Sequence, residues 1–143
     1  MKVLIEVESG SSEKGLYNEK TFELIGTRSI LLPYPYPYGF IIGTKGDDGE
    51  CLDCYVLTDN KLKAGSIIEC EPQGLLEFFE GSEIDHKILA TLPNEVMNID
   101  EKLLEGLKTF TYGVFKAFPE IDIKVGQLLS REKAIAFVNE YKG

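Results

Sequence analysis

The segment from residue 31 to residue 42 constrains the fold more than any other part of the chain. It reads Leu-Leu-Pro-Tyr-Pro-Tyr-Pro-Tyr-Gly-Phe-Ile-Ile, with prolines at positions 33, 35 and 37. Proline breaks helices and is excluded from the middle of a sheet, because it lacks a backbone N–H. We therefore expect residues 33–37 to be extended and stiff and to lead into a strand. This segment would form a rigid wall that presents tyrosines to a cavity.

A polyproline recognition site for an SH3-like or WW-like partner is an alternative interpretation of the same segment. It would require the flanking apolar residues to stay exposed, which soluble proteins avoid. We therefore favour the wall.

The rest of the chain divides into short strands followed by helices. Predicted strands, separated by turn residues, cover positions 3–8, 21–25, 52–57, 66–70, 75–79 and 87–92, with a flexible run over 9–15. Short strands at this spacing predict a small antiparallel barrel. After Asp100, which can cap a helix, apolar residues recur at helical spacing as far as Pro119. A short strand over 121–125 and a last helix capped by Ser130 follow, and both helices are expected to pack against the barrel.

The apolar faces of these helices are predicted to join the core. On the first helix they are Leu103, Leu104, Leu107, Phe110, Val114, Phe115 and Phe118, and on the second Ala134, Ile135, Val138 and Tyr141.

The composition describes a folded acidic protein. We expect its 143 residues to form one domain, 1–143, and its formal net charge of −9, with no cluster of Lys and Arg, argues against a nucleic-acid partner. The N-terminus reaches an acidic residue at position 6, unlike a signal peptide, and no apolar run could span a bilayer. The odd set of three cysteines suits a reducing compartment. We therefore expect a cytoplasmic protein without a membrane partner.

The segment 43–53 carries four acidic residues, Asp47, Asp48, Glu50 and Asp53, together with three glycines. Glycine permits backbone conformations that let neighbouring carboxylates converge. Such a segment is either a cation site or a solvated turn, and hard oxygen ligands favour Mg²⁺, Ca²⁺ or Mn²⁺.

A second acidic segment, residues 80–87, lies between two predicted strands, so that both acidic segments could face one mouth of the barrel. Glu6 stands in an otherwise apolar strand, where a charge requires a partner. Single cations near turns complete the set: Lys14, Arg28, Lys87 and Lys116. Carboxylates that hold several divalent ions, ringed by Lys, Arg and Tyr donors, are what the transfer of a phosphoryl group to water requires.

Five motifs in this chain resemble those of one enzyme family. Residues 48–53 read Asp-Gly-Glu-Cys-Leu-Asp against a family signature of Asp-Gly-Asp-Pro-x-Asp, and residues 34–40 match Tyr-Pro-x-x-Tyr-Gly-Phe. Residues 80–87 resemble Asp-Glu-x-x-x-Asp-x-Lys. An Ile-Glu strand with a Gly-Ser turn that ends in Lys, and a C-terminal aromatic-Lys pair at 115–116, complete the likeness. The chain resembles the soluble inorganic pyrophosphatases of the single-domain, magnesium-dependent kind.

The resemblance implies an α+β, mainly β fold: an OB-like five-stranded distorted β-barrel with flanking hairpin strands and two C-terminal α-helices packed on it. It also implies hydrolysis of pyrophosphate to two phosphates by a metal-activated water, and a homo-oligomer. The implied ligands of the central metal pair are Asp48, Asp53 and Asp85, with Glu80 and Glu6 serving additional ions. The implied phosphate-binding residues are Lys14, Arg28, Tyr38, Lys87 and Lys116. Glu50 would accept the proton of the attacking water.

The chain also departs from the family pattern. Glu50 and Glu80 each replace an Asp, which lengthens the arm by one methylene, roughly an ångström where about half an ångström matters. Leu16 and Phe115 stand where the family has a Glu and a Tyr, and Cys51 replaces a Pro. These changes predict slower turnover, or a preference that moves from Mg²⁺ towards Mn²⁺. A barrel that binds pyrophosphate or a nucleotide without turnover is the alternative function.

A zinc site is a further alternative. Cys51 and Cys54 have Cys-x-x-Cys spacing, and with Cys70 and the single histidine, His86, they would make a Cys₃His set. On a strand, however, Cys51 and Cys54 would point to opposite faces. Thiols that fill the core, with His86 as a surface hydrogen-bonding residue rather than an acid or base, form the simpler interpretation.

Overall fold

The computed structural model describes residues 1–143 and contains ten strands and two helices. In chain order these are β1 (Lys2–Val7), β2 (Glu13–Tyr17), β3 (Leu24–Ser29), β4 (Tyr38–Ile41), β5 (Asp53–Val56), β6 (Ile67–Glu69), β7 (Glu71–Glu80), β8 (Glu83–Ile84), β9 (Lys87–Thr91), α1 (Glu101–Phe115), β10 (Ile123–Leu129) and α2 (Arg131–Glu140). No helix is long and apolar enough to cross a membrane.

The strands form one large and one small sheet. The large sheet has the order β10-β7-β9-β5-β4-β1-β6, with β8 paired to β7, whereas β2 and β3 form a separate two-stranded sheet. This architecture confirms the predicted fold class, although the strand ladder stays open between β10 and β6 rather than closing into a barrel. The β5–β9 pair is parallel, contrary to the antiparallel expectation. The reason is that β6, β7 and β8 intervene and return the chain to the same end of the sheet.

The middle of the large sheet is buried on both faces. Side chains alternate along a strand, so Cys54 and Val56 of β5 face a core cluster that includes α2, whereas Tyr55 faces a second cluster that includes α1. The side chains of β9 alternate in the same way, and Ile88 faces the cluster that includes α2. Residues at the junction of β5 and β9 are therefore held by packing from two directions.

Both helices begin at the predicted caps. The Asp100 carboxylate accepts a hydrogen bond from the Leu103 N–H at 3.0 Å, and the Ser130 hydroxyl accepts one from the Lys133 N–H at 3.3 Å. The core prediction was wrong for Phe118 and Ile135, which are 43% and 37% exposed. Phe118 lies beyond the end of α1, and the buried stripe of the short α2 is narrow.

The prolines act as predicted, since the segment 33–37 leads directly into β4 at Tyr38. Two other expectations need correction: β2 begins inside the run predicted to be flexible, and β3 begins at Leu24 rather than at residue 21. The shift in β3 has a local cause. The Asn18 carboxamide oxygen accepts hydrogen bonds from the N–H groups of Lys20 and Thr21, which makes this stretch a turn. The last strand, predicted over 121–125, is β10 and extends to Leu129.

Candidate active site

The acidic turn, residues 46–52, is shaped by backbone hydrogen bonds. The Gly49 N–H donates to the Gly46 carbonyl at 3.0 Å, and the Gly46 N–H donates to the Glu50 carbonyl at 2.7 Å. One oxygen of Asp48 accepts the Glu50 N–H at 2.9 Å. Gly49 has φ +85°, a conformation that favours glycine. The turn therefore presents Asp48 and Glu50 as exposed carboxylates.

The carboxylate–lysine triplet of Asp53, Asp85 and Lys87 lies beside this turn. Lys87 Nζ contacts Asp53 Oδ2 at 2.8 Å and Asp85 Oδ2 at 2.9 Å. The parallel register of β5 and β9 places Asp53 directly opposite Lys87. Because the Lys87 side chain is only 8% exposed, its charge depends on these two carboxylates rather than on water.

Electrostatics differ among the members of the triplet. Burial alone would lower the pKa of Lys87, but Asp53 and Asp85 raise it above the ordinary value. Burial opposes ionisation of Asp53 too, yet Lys87 and Lys14 hold its pKa below the ordinary value. The pKa of Asp85 is raised, because burial and the charge of Asp53 outweigh the effect of Lys87. One lysine is thus shared between two carboxylates, and it stabilises the ionised form of Asp53 more than that of Asp85.

Two ammonium groups lie near the buried ring of Tyr38. Lys87 Nζ lies 5.8 Å from the ring centroid and Lys14 Nζ lies 5.2 Å from it. Lys14 belongs to β2, whose register places it opposite Arg28 of β3. The β2–β3 sheet therefore brings one cation to the triplet and carries a second, exposed cation beside it.

Glu6 of β1 is the most perturbed carboxylate of the group. Burial raises its pKa from 4.5 to about 7, opposed by Lys14 and reinforced by Asp53. A carboxyl group buried in this way titrates near neutral pH unless further positive charge arrives. Glu6 is thus placed to respond to the binding of a cation.

One cleft collects four of the predicted site residues. Its lining includes Asp48, Glu50, Asp53 and Asp85. The sequence predicted that the two acidic segments could face one mouth, and Asp85 of the second segment does line the same cleft as the first segment. The other predicted site residues lie outside this lining, and of these Glu80 and Lys116 are exposed, at the end of β7 and just after α1. Their roles stay predictions.

The carboxylates of the cleft are a donor set that suits a hard divalent cation. As the side chains stand, no three His, Cys, Asp or Glu residues converge closely enough to hold a metal ion, and the Lys87 ammonium occupies the position between Asp53 and Asp85. The ammonium group thus balances the negative charge of Asp53 and Asp85. All-oxygen donors, two of them on an exposed glycine-rich turn, fit Mg²⁺ or Mn²⁺ in chemistry.

The cysteines do not assemble with His86. Cys54 and Cys70 are buried in the core cluster beside α2, whereas Cys51 belongs to the acidic turn. The thiol of Cys54 donates to the Tyr55 carbonyl at 3.4 Å. The geometry therefore favours the interpretation of Cys54 and Cys70 as core thiols.

His86 has a structural partner. Its Nδ1 accepts a hydrogen bond from the Phe78 N–H at 2.9 Å, and its ring lies 5.2 Å from the ring of Phe79 and 5.4 Å from that of Phe137. Burial lowers its pKa. The half-buried imidazole therefore bonds to the backbone between aromatic rings, and it is less exposed than the surface residue expected from the sequence.

Two acidic contacts were missed in the sequence. Glu19, at the tip of the β2–β3 hairpin, accepts the Cys51 N–H with both carboxylate oxygens, at 3.1 and 3.2 Å. The Tyr141 hydroxyl donates to Asp47 Oδ2 at 3.1 Å. Both contacts join residues more than 30 positions apart, so no local pattern could reveal them.

Comparison with known proteins yields a single family. The family described as inorganic pyrophosphatase matches residues 3–142. An inorganic pyrophosphatase of Nanoarchaeum equitans is 31% identical over 147 aligned positions, which cover 95% of this chain and 91% of the relative. An inorganic pyrophosphatase of a Nostoc species is also 31% identical, over 90% of this chain and 80% of the relative.

Solved structures agree with these sequence matches. The inorganic pyrophosphatase of Helicobacter pylori superimposes with a TM-score of 0.88 at 25% identity, over 99% of this chain and 90% of that one. The enzyme of Thermus thermophilus gives a TM-score of 0.83 at 27% identity, over 100% of this chain and 91% of that one. Sequence and fold thus lead to the same assignment, and the chain belongs to the inorganic pyrophosphatase family.

Proposed function

We propose that this protein hydrolyses inorganic pyrophosphate to two phosphates. The observation that carries the proposal is the match to inorganic pyrophosphatases along nearly the whole chain, joined to a cleft in which Asp48, Glu50, Asp53 and Asp85 meet. The alternative, a barrel that binds without turnover, is disfavoured because the relatives are enzymes by name and the carboxylates remain in place.

Metal ions belong to this function, since the family is of the metal-dependent type. We propose Mg²⁺, with Mn²⁺ able to substitute. Asp48, Asp53 and Asp85 would hold the central pair of ions, and Glu6 and Glu80 would serve further ions. When bound, these ions lower the pKa of a water molecule and neutralise charge on the phosphate oxygens.

Binding of the substrate falls to cationic and phenolic groups around Tyr38. The ammonium groups of Lys14 and Lys87 lie 5.2 and 5.8 Å from the centroid of its ring. Arg28 lies opposite Lys14 across the hairpin. We propose that these residues, with Lys116, bind the phosphate oxygens. Such contacts orient the phosphorus and neutralise charge that develops on the leaving phosphate.

Glu50 is the proposed base. A water molecule attacks one phosphorus atom, the bond from that phosphorus to the bridging oxygen breaks, and the second phosphate leaves with the bond's electron pair. Glu50 accepts the proton that the water loses. Although the Glu50 side chain is exposed, its slight burial, followed by the charges of Asp48 and Glu19, raises its pKa, which makes it a stronger base than an isolated carboxylate.

The test is phosphate release from pyrophosphate with Mg²⁺ and with Mn²⁺, comparing the wild type with Asp53→Asn. We expect hydrolysis by the wild type with at least one ion and a large loss in the variant, because Asp53 supports both Lys87 and the proposed metal pair. Asp59→Asn is the matched control, since Asp59 is exposed on a loop. Release by Asp53→Asn at the wild-type rate, or no release by the wild type with either ion, would refute the proposal.

We also propose the domain organisation, the assembly state and the location of this protein. We infer one domain, because the large sheet combines strands from both ends of the chain, β1 and β10. We infer a homo-oligomer, supported by the exposed apolar side chains of Leu24, Ile25 and Leu31, each more than half exposed. Sedimentation velocity would measure the assembly. Three free cysteines support a reducing, cytoplasmic location.

A further inference from the structure

The β2–β3 hairpin is a separate unit that carries two of the proposed phosphate-binding cations. Its strands pair only with each other, and Lys14 lies opposite Arg28 in their register. In the middle of β2 the hairpin passes close to β1, since a Cβ added at Gly15 would lie 3.2 Å from the Glu6 carbonyl oxygen. The position of both cations therefore depends on how the hairpin is attached to the rest of the chain.

The tip of the hairpin is an ordered turn that presents one carboxylate. Asn18 closes the turn through its side-chain oxygen, at 2.8 Å from the Lys20 nitrogen and 2.9 Å from the Thr21 nitrogen. Phe22 has φ +65°, a conformation that costs free energy for a bulky residue. A strained turn of this kind persists only where the surrounding contacts maintain it. The partly buried Glu19 makes such a contact.

Glu19 reaches from this tip to the acidic turn. Its Oε1 and Oε2 lie 3.1 and 3.2 Å from the Cys51 nitrogen, so one backbone N–H is shared between both oxygens. Cys51 lies between Glu50, the proposed base, and Asp53 of the triplet. A hydrogen bond to an ionised acceptor is stronger than a neutral one, and this one is partly buried. The contact thus fixes the tip of the hairpin against the carboxylates that surround the proposed base.

We propose that Glu19 is a positioning residue that docks the β2–β3 hairpin onto the acidic turn and so fixes the positions of Lys14 and Arg28 relative to that turn. This inference rests on the proposed function, because the two cations matter as binding groups for pyrophosphate. Glu19 connects the acidic turn, through the Cys51 N–H, with the hairpin that carries the two cations. Without this link the hairpin keeps its contact with β1 at Gly15 and loses the hydrogen bond at its tip.

The test uses Glu19→Ala, Glu19→Gln and a control on the same hairpin. Glu23→Ala removes an equal charge from an exposed residue of the same turn whose side chain is not hydrogen-bonded. Three measurements are compared: exchange of the Cys51 amide proton by NMR without metal, binding of the unreactive analogue imidodiphosphate by calorimetry with Mg²⁺, and KM and kcat for pyrophosphate. The first two do not require turnover.

For Glu19→Ala we expect about tenfold faster exchange of the Cys51 amide and about tenfold weaker binding of imidodiphosphate, the loss that about 1.4 kcal/mol represents. KM should rise by a similar factor, with kcat within about threefold of the wild type. Glu19→Gln should recover most of the binding, because an amide oxygen still accepts the Cys51 N–H. Glu23→Ala should match the wild type in all three measurements.

Unchanged exchange of the Cys51 amide in Glu19→Ala would overturn the proposal, whether or not the protein turns over pyrophosphate. A loss of kcat with unchanged analogue binding would also overturn it, and would place Glu19 in the chemical step. A rise in the Mg²⁺ requirement that Glu19→Gln fails to rescue would instead make Glu19 a metal ligand. If the wild type lacked hydrolysis but the exchange and analogue results held, the docking would stand and the proposed function would fail.

Discussion

The carboxylate–lysine triplet and the acidic turn hold their negative charge in different ways. Asp53, the first residue of β5, and Asp85, just before β9, stand 2.8 and 2.9 Å from the ammonium group of the buried Lys87. Asp48 and Glu50 stand exposed on a glycine-rich turn that is closed by backbone hydrogen bonds. Lys87 holds both carboxylates of the triplet in short ion pairs, whereas Asp48 and Glu50 make none. Strand β9 thus fixes the triplet through Lys87, and the exposed turn leaves its carboxylates less constrained.

Glu50→Gln tests the catalytic role of the exposed acidic turn. Glu50→Gln keeps the size of the side chain but cannot accept a proton, so we expect kcat to fall by about a thousandfold, within the usual range for general bases. Stability should change little, because Glu50 is exposed. Phosphate release and urea unfolding measure the two quantities. Asp47→Asn, on the same turn, is the control, and equal losses of kcat in both variants would contradict a specific role for Glu50.

Lys87→Met tests whether the carboxylates of the triplet need the buried lysine for stability. Lys87→Met keeps the apolar stem but leaves two neighbouring carboxylates without their partner. We expect the free energy of unfolding to fall by about 4 kcal/mol in the presence of EDTA. Mg²⁺ should restore part of this loss, because a cation again stands between Asp53 and Asp85.

Urea unfolding with EDTA and with Mg²⁺ measures this effect. Lys61→Met, at an exposed lysine on a loop, is the control. A variant as stable as the wild type in EDTA would show that Lys87 is not needed to balance the two carboxylates.

Glu6 should make the stability of the protein depend on pH. Its pKa of about 7 in the folded protein exceeds the ordinary 4.5, so between these values the folded state retains a proton that the unfolded state has released. Stability without metal should therefore fall as pH rises through this window, and the loss should be complete above pH 7. Relative to the wild type, Glu6→Gln should gain about 2 kcal/mol between pH 5 and pH 8.

Urea unfolding of both proteins in EDTA tests this sign. Glu120→Gln, at an exposed acid, is the control and should track the wild type at each pH. A constant difference between Glu6→Gln and the wild type across the range would show that Glu6 is not protonated in the folded state.

The smallest expected effect concerns the backbone of the turn. Gly49→Ala places a side chain at φ +85°, which should cost about 1 kcal/mol of stability and displace Asp48 and Glu50. Gly106→Ala is the matched control, because it lies in α1 with nothing within 4 Å of the added Cβ and should stabilise by about 0.5 to 1 kcal/mol. Thermal unfolding measures both. A stabilised Gly49→Ala would show that the turn does not need this conformation.

Sequence reasoning predicted the family, the fold class, the helix caps and the strand after the prolines, and these were confirmed. Its errors have physical causes. The side chain of Asn18 turned the start of a predicted strand into a loop, and the parallel pairing of β5 with β9 depends on the path of three intervening strands. The roles of all the predicted site residues stay predictions, including those of Glu80 and Lys116 on exposed element ends.

By itself, the sequence determined which groups this protein can use: carboxylates between glycines, prolines that enforce an extended segment, and apolar periodicity that makes strands and helices. These are local properties, because they depend on the backbone preferences and side-chain chemistry of neighbouring residues. The tertiary structure decided which charges meet. The Lys87–Asp53 ion pair, the contact of Glu19 with Cys51, and the burial that brings the pKa of Glu6 to about 7 all depend on distances between segments remote in sequence. Electrostatic energy depends on distance in space and on exclusion of water, and only the folded chain fixes both.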